Sequence, residues 1–195
     1  MGAGLTLVTA PVAEPISVEV AKAWLRVDID ADDDLIADMI SSARQLIEDR
    51  AAYAFMTQTW DQTMDGFPYV NEPIELLRGP VQSITSVKYT GGDGAQVTWP
   101  STNYVFNGAT KPPRIAPAFG TWWPFLPMMP LANLVIRFVA GSPAGQSWHA
   151  IQGIKLLCGH WYENREAVDL ERVQALIVPE GVEEIIAQLK PFAVA

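Results

Sequence analysis

Apolar positions in the first part of the chain recur every three or four residues, which is the spacing of one face of a helix. Ser17 precedes the first such run and is a good N-cap residue, so a short helix is predicted from Ser17 to near Val27. A longer helix is predicted over residues 32–53, with several aspartates at its start, where they favour the positive end of the helix dipole. Its apolar positions are Leu35, Ile36, Met39, Ile40, Ala43, Leu46 and Ile47.

From Thr57 the apolar period changes to two, as in a half-buried strand. Further strands are separated by Gly, Pro, Asn and Asp residues that favour turns, and the glycines of residues 91–94 predict a hairpin. The predicted strands cover residues 57–64, 74–77, 81–89, 96–99, 104–107 and 134–139.

Helical spacing returns near the end of the chain. One helix is predicted over residues 147–164, and a short one opens at Pro179–Gly181 and stops at Pro191. The short helix carries an apolar stripe and is too short to be stable alone, so it must dock on another surface. Its stripe consists of Val182, Ile185, Ile186 and Leu189.

These patterns predict an α+β protein in which N-terminal and C-terminal helices pack with an antiparallel β-rich middle region. We expect a single domain over residues 1–195, because this length is usual for one domain. Its predicted parts are helical over 15–55, β-rich over 57–140 and helical over 147–192.

The segment 111–130 combines six prolines with a dense apolar cluster. Proline blocks regular ladders and helices, and exposed patches this apolar usually mark a contact surface. The segment is therefore expected to be buried by another chain or folded back as a lid on its own sheet. The predicted interface residues of this segment are Trp122, Trp123, Phe125, Leu126, Met128 and Met129.

Composition narrows the class of protein. The chain is 49% hydrophobic and 18% charged, with a net charge of −9, so it is expected to be globular, and no apolar stretch is long enough to cross a membrane. Tight binding of DNA phosphates requires the opposite sign of charge. The start of the sequence carries no basic region before an apolar run, so we expect synthesis without secretion.

Candidate sites for chemistry are weak. Asp28, Asp30 and Asp32 match the start of a calcium loop, but Asp33 and Met39 occupy its required glycine and glutamate positions. Helix capping is the simpler interpretation.

The histidines and the lone cysteine also favour structural roles. Cys158 and His160 point to different sides of a helix, and His160 with Glu163 lacks the further ligands that a metal centre needs. Paired Asp61 and Asp65 are common on solvated sheet faces. We therefore expect no enzyme activity, no catalytic residues, no cofactor and no metal.

The end of the helix predicted over residues 147–164 is a further candidate contact surface. Trp161 fits the buried stripe of its helix, whereas Tyr162 and Arg165 are residue types enriched at interfaces and are predicted contact residues.

A carbohydrate-binding module, stacking sugars on exposed rings, is the alternative to a protein-binding role. The rings in question are Trp60, Trp99, Trp122 and Trp123.

Several segments resemble the head-to-tail connector, or adaptor, proteins of tailed bacteriophages, in the same order along the chain. The N-terminal segments are Pro15–Ser17, Ala21–Asp28, Asp32–Ile36 and Thr57–Trp60, and the downstream ones are Leu77–Val87 and His160–Glu166.

This resemblance implies a structural protein of the virion neck, made in the cytoplasm of a bacterial host. It implies a ring of identical copies, usually twelve, between the portal protein and the stopper or tail-completion protein, with DNA passing through the lumen. The portal-contact candidates carried over from the family are Val182, Ile185, Ile186, Leu189 and Phe192. It implies no catalytic residue, cofactor or membrane partner.

Overall fold

The computed structural model describes residues 2–125, 131–142, 148–164 and 178–190, which form two compact units. Within the described ranges, a β unit comprises residues 2–11 and 57–142, and a helical unit comprises residues 12–56, 148–164 and 178–190. The β unit contains all the described strands and the helical unit all the described α-helices. The α+β prediction is confirmed, while a single domain over residues 1–195 stays a prediction.

The four predicted helices are all present, with ends within a few residues of the predicted ones. They are α1 (Val18–Leu25), α2 (Asp33–Ala51), α3 (Trp148–Glu163) and α4 (Glu180–Leu189). Ser17 caps α1 as predicted, because its hydroxyl accepts a hydrogen bond from the backbone nitrogen of Val20 at 3.4 Å. The aspartate run forms a short 3-10 turn over Asp30–Asp32 and then the first turn of α2.

The core of the helical unit is a close contact of α2 with α3. Ile36, Ile40 and Ile47 of α2 are fully buried, as are Ile154 and Leu157 of α3. Gly153 allows the two helices to approach, since a Cβ atom at this position would lie 2.8 Å from the Cδ1 atom of Ile47.

Helix α4 docks on the same core. Val182 and Ile186 are buried within it, while Leu189 packs against it from a half-buried position. On the exposed side, Arg50 of α2 donates a hydrogen bond to Glu183 of α4. The stripe that had to be covered is therefore largely covered by the chain's own helices.

A buried carboxylate closes the C-terminal end of α2. Glu48 accepts a hydrogen bond from the backbone nitrogen of Phe55 at 2.7 Å and another from Arg44 at 2.8 Å. Arg44 also donates from Nε to Glu14 at 2.7 Å. A buried charge is tolerated when it is paired and hydrogen-bonded in this way, so these contacts tie the start of the helical unit to α2.

The β unit contains two antiparallel sheets. The five-stranded sheet has the order β1-β2-β8-β4-β5, and the three-stranded sheet has the order β3-β7-β6. In chain order the strands are β1 (Ala3–Thr9), β2 (Gln58–Met64), β3 (Ile74–Glu75), β4 (Val81–Thr90), β5 (Gln96–Trp99), β6 (Tyr104–Asn107), β7 (Arg114–Pro117) and β8 (Leu134–Ala140).

The six predicted strands and the hairpin at residues 91–94 are present. Gly91 donates from its backbone nitrogen to the carbonyl of Ala95 at 2.8 Å, and Gly94 has a positive φ of 79° that favours glycine. Strands β1 and β7 were not predicted. The first contains Gly and Ala rather than a strict alternation, and the second lies between prolines.

One face of the five-stranded sheet is the inner, buried face. Trp60 on β2 lies opposite Phe138 on β8, and Ile136 lies opposite Val87 on β4; all four side chains are buried. Gln62 shares this face: its Nε2 donates to the carbonyl of Glu75 and its Oε1 accepts from the backbone nitrogen of Leu77, both at 2.9 Å. This single side chain fastens the segment at residues 75–77 to β2.

Replacing Ile186 by Ala is expected to lower the free energy of unfolding by about 2–5 kcal/mol, because it leaves a cavity in the core of the helical unit. Gln188→Ala on the exposed side of α4 is the matched control, with an expected change within about 0.5 kcal/mol. Urea unfolding followed by circular dichroism measures both. Equal effects of the two changes would contradict the docking of α4.

Burial raises the pKa of the Cys158 thiol to about 11, and the side chain is fully buried. The reactive species is the thiolate, so labelling by a disulfide reagent at pH 8 is expected to be slow in the native chain and fast in urea. Absorbance of the released reagent anion measures the rate. Rapid labelling of the native chain would show that α3 does not shield the thiol.

Candidate interaction surfaces

The segment over residues 119–125, called here the aromatic segment, alternates between exposed and buried rings. Trp122 is 71% exposed and Phe125 is 94% exposed, whereas Trp123 between them is only 8% exposed. Phe119 is also fully exposed. The segment therefore serves as a lid at one position and leaves a bare apolar surface at the others.

Asn71 holds the aromatic segment in place. Its Nδ2 donates to the carbonyl of Thr121 at 3.1 Å, and its Oδ1 accepts from the backbone nitrogen of Trp123 at 3.0 Å. Asn71 has a positive φ of 58°, a conformation that asparagine adopts more readily than most residues. The exposed rings are thus presented by an anchored backbone.

The ring of Trp123 belongs to the chain's own core. It stacks on Phe67 with centroids 4.9 Å apart and lies 5.0 Å from Trp99 of β5, while its Nε1 donates to the carbonyl of Glu72 at 2.9 Å. Its side chain has almost no surface left for a partner, and a partner contact at Trp123 stays a prediction.

The predicted contact residues of α4 differ in how much surface they expose. Val182 and Ile186 face the core of the helical unit, so only the half-buried Ile185 and Leu189 retain accessible surface. Tyr162 is half-buried, and its hydroxyl donates to Asp32 at 2.6 Å. Five of the predicted contact residues lie outside the described residues: Leu126, Met128, Met129, Arg165 and Phe192.

Two exposed tryptophans were not predicted as contact residues. Trp24 on α1 and Trp148 at the start of α3 fit the apolar stripes of their helices, yet the structure leaves 48% and 68% of them exposed. The amine of Lys155 lies 5.7 Å from the centre of the Trp24 ring. The sequence feature that could have indicated this exposure is their position near helix ends, because an apolar stripe can extend beyond the core there.

The tryptophans do not form a platform for sugar rings. Trp60, Trp99 and Trp123 are all buried in the β unit, and only Trp122 of the four is exposed. The guanidinium of Arg78 lies 4.4 Å from the centre of the Trp60 ring. This arrangement removes the feature on which the carbohydrate-binding alternative depends.

The acidic side chains of the candidate sites have structural partners. Asp61 accepts two hydrogen bonds of 2.7 Å from Arg137 directly opposite on β8, and these bonds raise the pKa of Arg137. Asp65 accepts from the backbone nitrogen of Ala132 at 3.2 Å. Asp61 therefore links β2 to β8, and Asp65 links the residue after β2 to the segment before β8.

The aspartate run has a similar role. Lys22 donates to both Asp30 and Asp33 at 2.7 Å, and these hydrogen bonds raise its pKa. Among the described residues, no group of three or more His, Cys, Asp or Glu side chains could hold a metal ion. None of the described helices is long and apolar enough to cross a membrane.

Alanine substitution is expected to distinguish the structural roles of the neighbouring Trp122 and Trp123. Trp123→Ala is expected to lower the free energy of unfolding by about 3–5 kcal/mol because it empties the space against Phe67 and Trp99. Trp122→Ala is the matched control, with a change within about 0.5 kcal/mol, since its ring is exposed. Thermal and urea unfolding measure both, and a large loss for Trp122→Ala alone would reverse the two roles.

Comparison with known proteins adds an independent observation. The family model of phage gp6-like head-tail connector proteins matches residues 15–90. Comparison with curated proteins gives no significant match.

Among solved structures, the neck of the empty GTA particle, computed with C6 symmetry, contains a chain with a TM-score of 0.76 and 20% identity, covering 98% of this chain and 97% of that one. The virion of the native gene transfer agent particle contains a chain with the same TM-score and 22% identity. The native neck computed with C12 symmetry gives 0.70 and 22%, and the coverage is the same in all three.

The resemblance predicted from the sequence is thus confirmed: the chain is similar over residues 15–90 to phage gp6-like head-tail connector proteins, and it has the fold of chains found in gene transfer agent necks over almost its whole length.

Proposed function

We propose that this chain is the head-to-tail adaptor of a phage-like particle, a structural protein that forms a ring between the portal and the stopper or tail. The observation that carries the proposal is the connector-family match over residues 15–90, in a chain whose whole fold resembles neck components. The related necks were computed with C6 and C12 symmetry. A ring of identical copies, usually twelve in the family that the chain resembles, is the corresponding assembly of this chain.

The exposed apolar side chains support a role in assembly. Trp122 and Phe125 lie on an anchored segment of the β unit, and Trp24 and Trp148 are exposed on the helical unit. Aromatic side chains of this kind are enriched at the energetic centres of interfaces. A protein that stays monomeric would be expected to bury them.

The charge supports a passage for DNA. The net charge is −9, with 22 acidic against 13 basic residues, and an acidic wall repels the phosphate backbone. A ring with this charge allows DNA to move through its lumen without being held there. The proposal therefore includes DNA as passing cargo, with no sequence-specific contact.

Among the described residues, the proposed partner contacts follow from accessibility. In the β unit, the exposed Trp122 and Phe125 are contact residues. The proposal keeps Leu126, Met128 and Met129 from the sequence pattern, since they lie outside the described residues. In the helical unit, the accessible parts of Ile185 and Leu189 remain portal-contact candidates, and Tyr162 marks a second contact. The proposal keeps Phe192 as a portal contact and Arg165 as a further contact, although both lie outside the described residues. Val182 and Ile186 support this surface from beneath, since they anchor α4.

The assembly state tests the proposal. The 21.4 kDa chain is expected to form, alone or with its portal protein, a species near twelve times that mass, because heterologous contacts close into rings. Native mass spectrometry and mass photometry over a concentration series measure the species formed.

A paired substitution provides the control. Trp122→Ser with Phe125→Ser is expected to weaken assembly by about tenfold or more, as loss of an interface anchor does, while the melting temperature stays close to that of the native chain. Val12→Ser, at a fully exposed position outside the aromatic segment, should leave both unchanged. A native chain that remains at 21.4 kDa and fails to bind portal protein in pull-downs would overturn the proposal.

A further inference from the structure

Strand β1 is an edge strand of the five-stranded sheet. Among the described residues it pairs with β2 alone, and its seven residues include no charged residue and no proline. Natural edge strands of this length are usually protected by charges, proline or a covering element, because their free backbone groups can pair with another chain. The sequence of β1 provides neither a charge nor a proline.

The side chains of β1 are mostly exposed to solvent. Leu5 is half-buried and the other six residues are exposed, with Leu7 and Val8 each 42% exposed. Leu7 lies opposite Trp60 and so points to the inner face of the sheet, where the apolar layer reaches the edge and stops. The register with β2 shifts between Leu7 and Thr9, which places Val8 at an irregularity of the ladder. Two adjacent aliphatic residues at the edge therefore each keep 42% of their surface exposed.

The aromatic segment is anchored on a different part of the same sheet. Trp123 contacts Trp99 of β5, and β5 is the opposite edge strand, four places from β1 in the strand order. Trp122 and Phe125 flank this anchor and are exposed. The described part of the β unit thus includes an aliphatic patch on β1 and an aromatic patch beside β5.

Charge favours a second copy of this chain as the occupant of both patches. Copies with a net charge of −9 repel one another at most approaches. Neither Ala3–Thr9 nor Phe119–Phe125 contains any of the 22 acidic residues, so contact through these two patches avoids placing like charges together. A basic partner, by contrast, would find no carboxylate within either patch.

The placement of the patches favours a head-to-tail contact. A heterologous interface uses two different patches on each protomer and generates rings when the rotation closes, whereas a two-fold interface uses the same patch twice. Two dissimilar apolar patches on one sheet, anchored on its opposite edge strands, provide the first type.

We infer that the β1 edge of one copy packs against the aromatic segment of the next copy, so that Leu7 and Val8 are covered by Trp122 and Phe125. The inference rests on the proposed ring and names the surfaces of its repeating contact. Each protomer then contributes β1 to one neighbour and the aromatic segment to the other.

Site-specific photo-cross-linking tests this contact. Trp122 is replaced by p-benzoylphenylalanine, which keeps an aromatic ring, and the variant is mixed with the ¹⁵N-labelled native chain, assembled and irradiated. Mass spectrometry of the digest is expected to show the residue-122 peptide joined to a ¹⁵N-labelled peptide containing residues 3–9. The same replacement at Val105, exposed on β6, is the control and should give no such link.

Charge substitution gives a second readout. Val8→Lys adds the charge that β1 lacks, and it is expected to weaken assembly by about tenfold or more with little change in melting temperature, because Val8 is exposed. Val105→Lys is the matched control with unchanged assembly. Equal assembly of the Val8→Lys variant and the native chain would overturn the inference.

The outcomes separate the inference from the proposed function. A native ring whose cross-links from residue 122 lead to portal protein or to another part of the neighbour overturns the β1 contact and leaves the adaptor function standing. Links between two aromatic segments would indicate a two-fold contact and also overturn it. A chain that neither assembles nor binds portal protein would contradict both the β1 contact and the proposed adaptor function.

Discussion

The surface of the β unit depends on the packing of one indole. Trp123 is stacked on Phe67, lies against Trp99 and donates to the carbonyl of Glu72, so its ring satisfies both the apolar and the polar requirements of burial. Because Trp122 is adjacent to it on the same backbone, the Trp122 ring points elsewhere. The exposure of Trp122 is therefore a consequence of how firmly Trp123 is held. The apolar surface is built into the fold at this point.

The regular elements were predictable because their patterns are dominated by burial on one side. The periods of α2 and of β2 reflect real faces, which the structure buries at Ile36, Ile40 and Trp60. Strand β1 escaped prediction for the opposite reason. Its side chains are mostly exposed on both faces, so no alternation in hydrophobicity marks it, and its strand character comes from the ladder with β2.

The candidate surfaces were predictable only in part. Composition showed that the stretch around Trp122 needed cover, but the sequence does not reveal that Phe67 and Trp99 lie where they can receive one ring of a neighbouring pair. The stripe on α4 was recognised correctly as a docking surface, and tertiary packing then supplied its cover within the chain at Val182 and Ile186. Amphipathic patterns state that a face must be buried; they do not specify by what. Asp61 illustrates the same point for charges, since its partner Arg137 is distant in sequence and adjacent only across the ladder.

Gln62 has a consequence for how the β unit can vary. Its amide imitates a peptide group, since it presents one donor and one acceptor to the backbone of residues 75–77. Glutamate would have the reach without the donor, asparagine the chemistry without the reach, and leucine the volume with neither. Substitution at this position is therefore constrained by both polarity and length, because the side chain links two backbone segments.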